Sequence, residues 1–213
     1  MTAAQIDMPH LAISYVNTVS AEPFDDFLAQ VANEKVTLKV EVREPDGPFA
    51  AGEWIVPSIV GVFIVKSYFD GFLKEIGKEH YLILKDALKK LTCRFIGPTA
   101  PPVTLVAAGK NKVSSPNPRF SLMYSISLVI ERGLVFRLLL EPDMTEVDAS
   151  EAVERFLSFG AQLFDGTADI AAVNGLLGAK SYFGSVLFAF DQSSRALYVF
   201  NPRSGAELSA GKK

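Results

Sequence analysis

The sequence is poor in the residues that form covalent links and metal sites. Its 213 residues include one cysteine and two histidines. A single cysteine cannot form an internal disulfide, which suits a reducing compartment such as the cytoplasm. Three residues of these two types cannot complete a structural zinc site, which has four such ligands. We therefore expect no disulfide, no zinc site and a cytoplasmic location. The composition still allows a carboxylate-rich Mg²⁺ or Ca²⁺ site, but no EF-hand spacing appears and we assign no metal ligands.

Targeting signals and long apolar runs are also missing. Residues 1–10 contain neither a basic region nor an apolar core, so they predict no secretory signal. The longest apolar run, residues 54–65, is shorter than the roughly 20 residues of a membrane-spanning helix. The sequence therefore predicts no transmembrane segment and a buried core segment at this run.

Neither sign of charge is in strong excess. The chain has 21 basic and 24 acidic residues and a formal net charge of -3. Domains that bind nucleic acid are usually strongly basic, so we expect no nucleic-acid partner. Hydrophobic residues make up 49% of the chain, which excludes a disordered protein. We expect a single domain over residues 1–203, with a possible internal boundary near 97–102 and a flexible polar tail at 204–213.

Two periodicities predict the fold class. Residues 35–43 alternate strictly between apolar and polar residues, which indicates a strand with one solvated face. Apolar residues on one side of residues 66–91 and lysines on the other indicate an amphipathic helix. We extend it over the preceding apolar run, as one long kinked helix of about residues 57–91, although the pattern does not decide between helix and strand for residues 54–65.

A second helix is predicted at about residues 146–164. Thr145 and Asp148 have the spacing of a helix-capping pair, and apolar residues follow at helical intervals. These helices are interleaved with short strands, several of which are joined by hairpins. The sequence therefore predicts an α+β fold with a mainly antiparallel or mixed sheet packed against the two helices.

No common catalytic or cofactor-binding motif is complete. Residues 174–181 have the length of a phosphate-binding loop, but Ala179 occupies the position of the glycine that must precede Lys-Ser. No G-x-G-x-x-G follows a predicted strand, and no G-x-S-x-G is present. We therefore expect no cofactor and favour a protein that is not an enzyme.

A basic loop is the first candidate binding site. Lys110, Lys112 and Arg119 lie in a polar stretch whose serine and asparagine side chains could help to hold an anion or an acidic partner. The alternative is a plain surface loop.

A bend in the long helix is the second candidate site. Tyr68, Asp70 and His80 could line a cleft there. The alternatives are a solvated charged face for Asp70 and a packed, hydrogen-bonded side chain for His80.

Three functions fit these observations. We favour a non-catalytic protein-interaction or accessory module, possibly a homo-oligomer, because 16 phenylalanines exceed what one small core needs. The alternative is a small-ligand or anion-binding enzyme, with Asp70 or an acid among residues 141–154 as base and the basic loop as anion holder. A second alternative is a peripheral membrane protein attached through residues 54–72.

Overall fold

The computed structural model of this chain has eight strands and three helices among the residues that it describes. It describes residues 9–45, 58–69, 78–101, 119–131, 134–168 and 185–201, together with the backbone of 207–209. The helices are α1 (Glu22–Val31), α2 (Lys78–Phe95) and α3 (Glu146–Phe164). The strands are β1 (Leu11–Val16), β2 (Leu38–Arg43), β3 (Val60–Val65), β4 (Tyr124–Glu131), β5 (Leu134–Leu138), β6 (Ser185–Asp191), β7 (Ala196–Phe200) and β8 (Glu207–Ser209).

All eight strands belong to one mixed sheet in the order β2-β1-β3-β4-β5-β6-β7-β8. The pairs β1–β2, β3–β4 and β5–β6 are parallel, and the other neighbours are antiparallel. Each parallel pair has one of the three helices between its strands in the chain, because parallel neighbours need a crossover connection. This confirms the predicted α+β class with a mixed sheet.

The main core lies between the helices and one face of the sheet. Helix α2 packs against both α1 and α3, so the three helices form one layer. Ile13, Val62 and Ile126 project from neighbouring strands into this core and are fully buried. The opposite face carries a smaller buried cluster, formed by Phe120, Leu139, Leu187, Ala189, Tyr198 and Phe200.

The predicted helix over residues 57–91 is wrong in its first part. Val60–Val65 is strand β3, which lies between β1 and β4, and α2 is described from Lys78. A central strand is buried on both faces, so its sequence is continuously apolar and lacks the alternation that identifies strands. This result removes residues 60–65 from the amphipathic helix of residues 54–72 on which the membrane-attachment hypothesis depended.

Helix α3 confirms the predicted second helix and its bounds. The Thr145 hydroxyl oxygen accepts a hydrogen bond from the Asp148 backbone N–H at 3.1 Å, as the capping pattern predicts. The apolar face of this helix is buried, with Val153, Phe156 and Leu157 all inaccessible to solvent.

Three residues of the predicted tail form a strand, and the predicted boundary falls inside one sheet. Glu207–Ser209 pairs antiparallel with β7 as an edge strand, although we expected residues 204–213 to be flexible. Strands from both sides of residues 97–102 share the same sheet. Gly97 has a φ of 108°, which a glycine adopts readily, and lies just after the end of α2.

Candidate functional site

The outer side of β2 is an open sheet edge, which we call the β2 edge (Leu38–Arg43). β2 is the terminal strand of the sheet, and no other described strand pairs with its outer side. The Asn17 N–H donates to the Arg43 carbonyl oxygen at 2.9 Å, so the odd-numbered residues of β2 direct their backbone groups towards β1. Because this direction alternates along a strand, the N–H and C=O groups of the even-numbered residues, with Val40 at the centre, point outwards.

The β2 edge also exposes apolar side chains. Val40 and Val42 are 43% and 56% exposed, although their partners in β1, Ile13 and Tyr15, are buried. The ring of Phe24 in α1 stacks on Tyr15 at 4.3 Å, so α1 lies over β1. Within the described residues, the helix layer therefore stops short of the two valines.

The other face of β2 is charged. Lys39 and Glu41 are exposed, and the closest approach of their charged groups is 3.9 Å. An exposed pair of this kind contributes less than about 1 kcal/mol, so both side chains can rearrange at little cost. Arg43 is anchored instead: its Nε donates to Ser14 Oγ at 2.8 Å and its terminal nitrogen to the Ser58 carbonyl at 2.7 Å.

Two of the predicted cleft residues meet in the core rather than on an open cleft. Tyr68 is fully buried and His80 is 4% exposed. The Tyr68 hydroxyl lies 3.0 Å from His80 Nδ1, and His80 Nε2 lies 3.1 Å from the Val31 carbonyl oxygen. A carbonyl can only accept, so Nε2 carries the proton and Nδ1 accepts from the hydroxyl. These bonds join α2 to the end of α1; Asp70 lies outside the described residues.

Of the three candidate residues in the basic loop, the structure describes Arg119. Lys110 and Lys112 lie outside the described residues. Arg119 donates to Glu141 at 3.4 Å and to the Tyr198 hydroxyl at 2.8 Å. Its guanidinium also lies against two phenylalanine rings of the smaller cluster. These contacts attach Arg119 to the sheet.

Arg195 forms ion pairs with two of the acidic residues near the start of α3. It lies in the β6–β7 turn with a φ of 55°, and its guanidinium is 5.7 Å from the centre of the Phe190 ring. The same guanidinium forms ion pairs with Asp148 and Glu151. These acids therefore hold the hairpin against the helix.

An open groove of about 1020 Å³ runs along α3. Glu154 in this groove accepts hydrogen bonds from Lys89 and Lys85, which hold the pKa of its carboxyl below the usual value. A carboxylate stabilised in its ionised form is a weak general base. Glu154 is therefore a poor candidate for the base that the enzyme hypothesis expected at Asp70 or among residues 141–154.

Arg137 is a partly buried charge that the sequence analysis missed. It lies on the sheet face opposite the helices, next to Ser127 and Leu187 in the adjacent strands. Its Nε is buried and, among the residues that the structure describes, has no hydrogen-bond partner. Burial lowers the pKa of the guanidinium. One signal was available, because this arginine is the only charged residue within residues 134–140.

The chain was compared with known protein families, curated proteins and solved structures, and none matches it. Within the described ranges, no group of three or more Cys, His, Asp and Glu residues is placed to hold a metal ion. No helix in the same ranges is long and apolar enough to cross a membrane. The candidate site therefore rests on the geometry of the β2 edge.

Proposed function

We propose that this chain is a non-catalytic protein-interaction module whose contact surface is the β2 edge. The observation that carries the proposal is the pair of exposed valines, Val40 and Val42, beside outward-pointing backbone groups. An extended segment of a partner can add to such an edge, gaining main-chain hydrogen bonds and apolar contacts together.

The β2 edge lacks most features that prevent unwanted pairing. Exposed edges are usually protected by proline, by bulges, by charged side chains such as lysine or by charges that point towards the core, and of these β2 has the charged side chains of Lys39, Glu41 and Arg43. β2 contains no proline, and its register with β1 runs without a shift. The charged side chains of β2 lie on the face opposite the helices, so they do not interrupt its apolar face. Fully burying one valine of that face would stabilise a contact by about 1.5–3 kcal/mol. The edge therefore favours contact with a partner.

We also propose that the module works in the cytoplasm. Cys93 is a free thiol, and the chain has no second cysteine with which it could pair. Thiols remain reduced in that compartment. Fractionation of cells that express the chain tests this location.

A charge placed at the centre of the edge should abolish partner binding. We expect Val40→Glu to lose the proteins that the wild type retains in affinity capture, because a carboxylate on the apolar face must be desolvated in the contact. Val147→Glu is the matched control, since Val147 is 68% exposed but lies on α3. Each protein lost is then purified, and its direct binding to the wild type and both variants is measured by calorimetry.

Equal binding by the wild type and Val40→Glu would exclude the β2 edge as the contact surface. Equal loss in Val40→Glu and Val147→Glu would indicate a general effect of added charge rather than a specific interface.

Anion binding is a second candidate function, favoured by Arg137. An arginine stays protonated in proteins, and burying part of it without a partner costs free energy that a bound anion would recover. The single guanidinium of Arg137 can pair with one carboxylate. The neighbouring Ser127 and apolar Leu187 favour a ligand whose remaining part is apolar, so a monocarboxylate with an apolar body suits the site.

Replacing Arg137 by methionine should stabilise the protein by about 1–3 kcal/mol, because an apolar side chain of similar length is cheaper to bury. Urea denaturation measures the change. Arg155→Met is the control, since Arg155 forms an exposed pair with Glu151 and should change stability by less than about 0.5 kcal/mol.

The same variant tests the ligand. Hexanoate, benzoate and inorganic phosphate are added separately, and we expect the carboxylates to raise the melting temperature of the wild type but not that of Arg137→Met. Absence of any shift in the wild type would exclude this second function, and a shift with phosphate alone would change the ligand class.

A further inference from the structure

We infer that the partner at the β2 edge is a second copy of this chain, bound antiparallel about a twofold axis through Val40. The inference rests on the proposed function, because it uses the same edge. In this arrangement Val40 faces Val40 of the second copy, and Leu38 faces Val42 of the second copy. The two sheets join into one continuous sheet, with both helix layers on the same side.

The backbone N–H and C=O groups of β2 point in the directions that this antiparallel pairing requires. Leu38, Val40 and Val42 are the residues whose N–H and C=O groups point away from β1. In an antiparallel pair, residues with outward-pointing groups face each other and exchange two N–H···O=C bonds. The twofold axis through Val40 pairs these three residues only with one another.

The side chains on both faces of β2 are self-complementary in this register. On the helix side, the exposed Val40 and Val42 bury their apolar surface against the same strand of the second copy. On the opposite face, Lys39 lies across from Glu41 of the second copy, and the symmetry forms this pair twice. Opposite charges directly across two strands are stabilising, and like charges are destabilising.

The charges also select this register over its neighbours. A shift by two residues in one direction places Lys39 opposite Lys39 of the second copy. The shift in the other direction places Glu41 opposite Glu41 and Lys39 opposite Arg43. A shift by one residue turns the apolar face of one copy to the charged face of the other. Among these registers, the one with its axis through Val40 pairs unlike charges and also matches the apolar faces.

Charge reversal tests the register through the mass of the particle. Light scattering should give about 46 kDa for the wild type at micromolar concentration, twice the chain mass of 23.2 kDa. Lys39→Glu and Glu41→Lys each place like charges across the axis twice. We expect each variant alone to dimerise on the order of tenfold more weakly than the wild type.

Mixing the two variants supplies the internal control. The Lys39→Glu chain carries two acids and the Glu41→Lys chain carries two lysines, so a heterodimer restores both ion pairs. We expect the mixture to regain the wild-type affinity, as should the double variant with the two charges exchanged. Recovery on mixing also shows that each variant is folded.

A cysteine pair measures the position of the axis. In a Cys93→Ser background, Val40→Cys places two thiols at a pair whose Cα atoms are about 5.5 Å apart, within disulfide reach. Two Val42→Cys residues are separated along the strands by roughly 14 Å, which is beyond that reach. With a mild oxidant, we expect a covalent dimer from the first variant and none from the second.

Three outcomes would overturn the inference. A wild-type chain that remains at 23.2 kDa up to its solubility limit has no such dimer. A dimer that is insensitive to both charge reversals uses another surface or register. A monomer that binds a different purified protein in a Val40-dependent way also overturns self-pairing, but it leaves the proposed interaction function in place.

Discussion

Replacing His80 by alanine is expected to lower the free energy of unfolding by about 3–5 kcal/mol. The substitution removes a buried ring and takes a hydrogen-bond partner away from both the Tyr68 hydroxyl and the Val31 carbonyl. Tyr68→Phe should cost less, about 1–3 kcal/mol, because it removes one partner of His80 Nδ1 and leaves no cavity. Urea denaturation at neutral pH measures both values.

His10→Ala is the matched control, since His10 is partly exposed and its Nδ1 accepts a hydrogen bond from the Thr37 N–H at 3.0 Å. We expect this change to cost no more than about 1.5 kcal/mol. If His80→Ala is as mild as His10→Ala, the buried network does not contribute to the fold, and His80 is again a candidate for a functional role.

The second large effect is a loss of stability at alkaline pH. Tyr68 and Tyr124 are fully buried, and burial raises the pKa of both hydroxyls well above the ordinary value near 10. The native state therefore retains two protons that the unfolded chain releases. The stabilisation is complete below about pH 10 and falls above it by about 1.4 kcal/mol per pH unit for each tyrosine.

Urea denaturation between about pH 9 and 11 measures this loss, which should total about 2.7 kcal/mol from these two residues over the whole range and become steepest towards pH 11. The Tyr68→Phe/Tyr124→Phe double variant should start from a lower stability and lose much less with rising pH. Equal slopes in the wild type and the double variant would show that other groups cause the alkaline loss.

Local sequence patterns predicted several elements well. Helix α3 has the predicted bounds, because its capping residues and apolar face act within the helix itself. Strands β6 and β7 pair antiparallel across a short polar turn, which agrees with the expectation that several strands are joined by hairpins. The apolar run at Val60–Val65 was misinterpreted, because continuous burial on both faces of a strand hides the period that separates it from a helix.

The candidate site shows a different limit. The alternation of residues 35–43 correctly predicted a strand, and it also predicted that Val40 and Val42 belong to an apolar face. The exposure of these valines depends on the position of β2 at the end of the sheet and on the extent of α1. Neither property is encoded in the nine residues of that segment.

Two of the candidate cleft residues show a related limit. Tyr68 and His80 were expected to line a cleft at a bend in one helix, whereas the structure buries them together as a hydrogen-bonded pair. The surroundings of Arg137 could not be predicted from its own segment. Ser127 and Leu187 belong to other strands and become its neighbours only in the sheet.

The sequence by itself determined the class of the fold, the bounds of α3 and the alternation of charged and apolar side chains in β2. The tertiary structure decided which strand is terminal, which apolar residues remain uncovered and which charges have partners. The periodicity of a sequence indicates which side of a helix or strand is apolar. Which segment covers that side depends on contacts between residues that are far apart in the chain.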